Sequence, residues 1–86
     1  VTEQVPVVVY KTKDIYLATF LRVAGFDICD IEYLNRKATF CFACDSLNDI
    51  KPKVREFYNE KAEVNVRKFV VALKAMKSLV YEYRGS

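Results

Sequence analysis

The sequence predicts an α+β fold: a small antiparallel sheet, built from an N-terminal strand and a hairpin, packed on one face by helices in the order β-α-β-β-α-α. Three observations point to it. A β-branched and aromatic run, Val7-Val8-Val9-Tyr10, lies near the start. Apolar residues alternate over residues 26–44 on either side of Asn35-Arg36. Three further segments carry apolar residues at helical spacing. Three strands with one apolar face need a cover to be stable, and the helices supply it. With 86 residues, 52% of them hydrophobic, and with six Phe and six Tyr, the chain is expected to form a single domain over 1–86.

The first strand is expected at 7–10, with Pro6 placing it at a sheet edge. Thr12 is the expected N-cap of the first helix, and Asp14 lies in its first turn. Leu17, Phe20, Leu21 and Ala24 then recur at helical spacing, and Gly25 suits the position just past the end, so this helix spans about 13–24.

The hairpin follows. With Asn35 and Arg36 as the loop, residue i pairs with residue 71 minus i. Tyr33 then faces Ala38, Ile31 faces Phe40, and Cys29 faces Phe42, all on one apolar face. The other face holds Ile28, Asp30, Glu32, Thr39, Cys41 and Ala43 and is mixed. A slip of one residue would expose Phe40 and Phe42.

Ser46-Leu47-Asn48-Asp49 opens the next helix. Pro52 belongs in a first turn, which puts the regular part near Asn48 or Asp49. Ile50, Val54 and Phe57 form its buried stripe, and Asn59-Glu60-Lys61 ends it. The last helix is expected over 65–81, capped by Asn65, with Phe69, Leu73, Met76 and Val80 inward and fraying from Tyr83 onward. The expected core is Leu17, Phe20, Leu21, Ile31, Phe40, Phe42, Ile50, Val54, Phe57, Phe69, Leu73, Met76 and Val80.

Catalytic chemistry finds little support. The chain has no His, so the commonest general base is absent. It has no glycine-rich phosphate loop, nucleophile elbow or Cys/His pair. Cys41-Phe42-Ala43-Cys44 has redox-motif spacing, but inside a strand its two thiols point to opposite faces. With Cys29 they make three cysteines, which read as structural; no metal and no cofactor is expected. Asp27, Asp30 and Glu32 read as an outer face and strand-end charges. An odd cysteine count suits a reducing cytoplasm. No apolar run approaches the length of a membrane span, so no membrane partner is expected. Val5-Pro6-Val7-Val8-Val9 lacks the length and basic leader of a signal peptide. Val1 in place of Met leaves a missing or processed N-terminus open.

The charge distribution says more. Residues 1–43 carry five basic and five acidic groups, whereas residues 44–86 carry nine basic and six acidic, and together these give the net charge of +3. Within 64–86 there are five basic residues (Arg67, Lys68, Lys74, Lys77 and Arg84) and one acid, Glu82. Arg67 and Lys74 lie about 20° apart on the helical wheel, with Lys77 and Arg84 within about 100° of Arg67 on the same side, flanked by Val70 and Tyr81. Such a stripe attracts phosphates by counterion release. An ordinary solvated helix face is the plainer reading, although Val70 and Tyr81 also suit a protein contact. The tyrosines could stack on single-stranded bases or simply border the core.

Tyr10-Lys11-Thr12-Lys13-Asp14-Ile15-Tyr16-Leu17-Ala18 and Lys61-Ala62-Glu63-Val64-Asn65-Val66-Arg67-Lys68-Phe69-Val70-Val71-Ala72-Leu73-Lys74 resemble a family of small domains of unknown function found in bacteriophages and bacterial mobile elements. The resemblance runs over about residues 10–83. It carries no catalytic residue, and it implies a virus- or prophage-encoded accessory protein acting in the cytoplasm of a bacterial host.

Two functions follow as expectations. The first is a non-enzymatic nucleic-acid-binding protein, with Arg67, Lys68, Lys74 and Lys77 on phosphates and Tyr81 stacking. The second is an inhibitor or adaptor that binds a host or phage protein, for which Val70, Val71 and Tyr81 matter more than the lysines. A homodimer is also expected, through the edge strand or the mixed outer face of the hairpin.

Overall fold

The computed structural model describes residues 8–84. Its elements are β1 (Val8–Thr12), α1 (Ile15–Val23), β2 (Asp27–Leu34), β3 (Lys37–Cys44), α2 (Leu47–Tyr58) and α3 (Val66–Arg84). This is the expected α+β order. The three strands form one antiparallel sheet in the order β1-β3-β2, so β1 is an edge strand and the C-terminal arm of the hairpin is central. The expected role of Pro6 and the start of the first strand at residue 7 lie outside the described residues.

β1 runs two residues further than its β-branched run suggests, because Lys11 pairs with Cys41 and Thr12 with Phe40. That extension takes Thr12 out of the capping role. Asp14 caps α1 instead: Tyr16 N–H and Leu17 N–H donate to its Oδ1 at 2.9 and 3.2 Å. Thr12 acts one step earlier, with its Oγ1 accepting from Asp14 N–H at 3.1 Å. At the other end Gly25 takes φ 107, and Gly25 N–H and Phe26 N–H donate to the Arg22 and Leu21 carbonyls. That is a Schellman end, which needs a residue free to enter positive φ.

The hairpin turn is at Asn35-Arg36, with φ 53 and 64, the two positive values of a type I′ turn. The expected register holds from Leu34↔Lys37 to Asp30↔Cys41. It then breaks. A bulge between Ile28 and Asp30 pairs Ile28 with Phe42 and Asp27 with Ala43. Cys29, expected opposite Phe42, is the extra residue and is exposed. The physical reason lies in what the unbroken register would bury. It would set Asp27 opposite Cys44 on the core side and turn Ile28 outward. The bulge exchanges them, so Ile28 packs against the core while Asp27 stays exposed.

The buried cluster joins Leu17, Ala18, Phe20 and Leu21 of α1 to Ile31, Phe40 and Phe42 of the sheet, with Ile50 and Met76 from α2 and α3. Val54, Phe57, Phe69 and Val80 pack against it half-buried. α1 lies between the other two helices, with α2 over β1 and β3 and α3 over β2. Leu73 is the weak member of the expected core, being half-buried like Val54, Phe57, Phe69 and Val80 but not packed against the cluster. The stripe of α3 centres on Met76, and Ala72 and Leu79 share the contact on the side away from Leu73.

α2 begins at Leu47, with Ser46 Oγ accepting from Asn48 N–H at 3.1 Å. Pro52 is therefore its sixth residue, in the second turn rather than the first. Pro52 and Asn48 are both exposed, so the helical bond that proline cannot donate is given up at the surface. α3 is capped by Asn65, whose Oδ1 accepts from Lys68 N–H at 3.0 Å, and it continues through Tyr83 to Arg84.

Candidate functional site

α3 is 19 residues long and gives the core one side only. At about 100° per residue, Val66, Lys77, Val70, Tyr81, Lys74, Arg67 and Val71 fall in one sector of about 140° opposite Met76. All seven are exposed. Four are apolar or aromatic: Val66 is 75% exposed, Val71 66%, Tyr81 70% and Val70 43%. The other three are cations, and none of the three forms an ion pair among the described residues. The outward side of α3 is thus a basic and apolar surface.

Not every residue expected on that surface belongs to it. Arg67, Lys74, Lys77 and Tyr81 share the sector. Lys68 stands about 100° from Arg67 and about 180° from Lys77, so no flat partner meets both. It lines a shallow groove with Arg67, Val71, Ala72 and Ala75, at the border of the sector. Val66 was not singled out from the sequence, yet it is the most exposed of the four large hydrophobics on this face. The signal was its spacing, one turn before Val70.

Cys41 and Cys44 show no activation. Cys41 is 2% exposed on the sheet side away from the helices, where burial, then Glu32, pushes its thiol up. Cys44 is on the core side, its Sγ donating to the Val8 carbonyl at 3.6 Å, and burial raises it too, with Asp49 and Asp45 adding. Both shifts keep the thiols protonated, the reverse of a reactive cysteine. Among the described residues no group of three or more His, Cys, Asp or Glu side chains could hold a metal ion. No described helix is long and apolar enough to cross a membrane.

Comparison with known families now bears on the whole fold. A family model described as a domain of unknown function, DUF5659, matches residues 8–82, from the first residue of β1 almost to the end of α3. The chain belongs to the DUF5659 family. Neither the curated proteins nor the solved structures contain a match to it. The family match takes in every strand and helix described above, the last two residues of α3 excepted, so the α3 surface is part of the matched fold and not an appendage to it.

Proposed function

We propose that this DUF5659 domain is a non-enzymatic interaction module that docks an acidic partner protein on the outward side of α3. One observation carries the reading: four exposed apolar or aromatic residues are interleaved with three cations on a single helical face. Valines give nothing to a phosphate backbone, which is held by donors and charge. They do supply the apolar centre of a protein interface, and exposed contiguous apolar surface commonly marks one. The cations then select an acidic partner and steer its approach.

Nucleic acid is the second reading. It is favoured by Arg67 and Lys74 side by side, with Tyr81 offering a ring to stack on a base. It draws less from Val66, Val70 and Val71, and it loses Lys68 from the common face. The family resemblance supports a phage or mobile-element accessory role in the bacterial cytoplasm for either reading, as inhibitor or adaptor for the protein reading.

The deciding experiment is capture from nuclease-treated bacterial lysate, alongside titration with single- and double-stranded DNA and RNA at low salt. The protein reading expects one defined acidic protein, lost on Val70→Ser/Val71→Ser and weakened on Lys74→Ala/Lys77→Ala. Saturable, salt-sensitive nucleic-acid binding that survives the valine substitutions would replace it with the second reading.

A further inference from the structure

The three helices all pack on the side of the sheet that carries Phe40 and Phe42, and among the described residues nothing covers the opposite side. Its charges are sorted by strand. The β1 row carries Lys11. The β2 row carries Asp30 and Glu32, with Asp27 beyond the bulge. The central β3 row holds Thr39, Cys41 and Ala43, all small and uncharged, with Lys37 at the hairpin end. Lys11 already leans across the middle strand, its Nζ 3.1 Å from Glu32 Oε2. Cys41, beneath that span, is 2% exposed although no helix lies over it.

We propose that this face binds a second copy of the chain, sheet to sheet, about a two-fold axis parallel to β3. The charge pattern selects both occupant and axis. Rotation about an axis along β3 exchanges the edge rows, so Lys11 of each copy meets Asp30 and Glu32 of the other. A two-fold axis across the strands would set Lys11 on Lys11 and acids on acids. The small central row falls on the chosen axis, where stacked sheets need short side chains to approach to about 10 Å. The crossing angle of about 30° between stacked sheets carries the two Lys37 ends apart. The face is only three strands wide, which makes a small interface and a weak, concentration-dependent pairing. It is independent of the α3 surface, which it leaves facing outward on both copies.

Complementary charge reversal tests it by sedimentation equilibrium up to about 1 mM protein, the range in which a weak complex registers. The parent is expected to dimerise. Lys11→Glu alone and Asp30→Lys/Glu32→Lys alone are each expected to weaken dimerisation at least about tenfold, because like charges then meet twice across the axis. An equimolar mixture of the two variants restores opposite charges on both sides and is expected to recover the dimer. A within-chain Lys11–Glu32 bridge alone predicts no recovery on mixing. Ala43→Arg, which puts a charge on the axis row, is expected to give monomers without touching the core. A parent monomeric throughout the range, a mixture that stays monomeric, or an Ala43→Arg variant that dimerises like the parent would each overturn the proposal.

Discussion

Glu60 stands at φ 60, just past the end of α2, where Glu60 N–H and Lys61 N–H close on the Phe57 and Glu56 carbonyls. This is the geometry that Gly25 provides for α1, imposed here on a residue with a Cβ. Glu60→Gly is therefore expected to stabilise the protein by about 0.5–1 kcal/mol, read as a higher urea midpoint at unchanged slope. The thiols set a second expectation. Burial raises Cys41 and Cys44 above the ordinary 9.0, and Tyr10 is raised above 10.0 by burial and then by Tyr58. Each group holds its proton in the folded state at a pH where the unfolded chain has lost it. Their contribution is thus whole below about pH 8.5 and is lost as pH climbs through the raised values. Urea midpoints should be level from neutral pH to that point and fall above it, with a shallower fall in Cys41→Ala/Cys44→Ala.

At the scale of elements, β3 and the bulge in β2 carry the most consequence. Phe40 is 1% exposed on the central strand, so Phe40→Ala should cost about 3–5 kcal/mol. Leu73, half-buried at the margin of the α3 stripe, should cost only about 1–2 kcal/mol on truncation. Equal losses in parallel urea melts would mean that α3 packs with a different side inward. The bulge makes a sharper test. Cys29 is exposed, and Cys29→Ser should change stability by less than about 0.5 kcal/mol. Deleting Cys29 removes the extra residue and leaves Ile28 opposite Phe42 and Asp27 opposite Ala43 in an unbroken ladder. The deletion should therefore also change stability by less than about 1 kcal/mol in urea melts. A loss on the order of 3 kcal/mol would mean that the strand slips instead and carries Asp27 to the core side.

In the whole molecule the helical layer puts its basic-apolar face on one side, and the bare side of the sheet looks the other way. Substitutions on one side should therefore leave the other unchanged, since they share no partner. Val66→Ser/Val70→Ser/Val71→Ser should lose the captured partner while staying folded, because each side chain is exposed and contributes little to the core. Thermal melting checks the fold and capture checks the binding; a triple variant that melts far below the parent would mean that these valines serve the fold.

What the sequence determined by itself was local. Helices and strands, the Asn35-Arg36 turn, the Gly25 and Asn65 ends and most of the core were legible because each rests on near neighbours: periodicity, caps and residues that tolerate positive φ. The Arg67, Lys74, Lys77 and Tyr81 grouping was legible for the same reason, helical spacing being fixed by geometry. The tertiary structure decided what depends on partners distant in the chain. Pairing with Phe40 extended β1 through Thr12 and so moved the α1 cap to Asp14. Burying Ile28 in preference to Asp27 created the bulge at Cys29. The angle at which α3 meets α1 and β2 left Leu73 marginal. Central placement of β3 brought Lys11 within reach of Glu32, a meeting of two edge strands that no local pattern encodes.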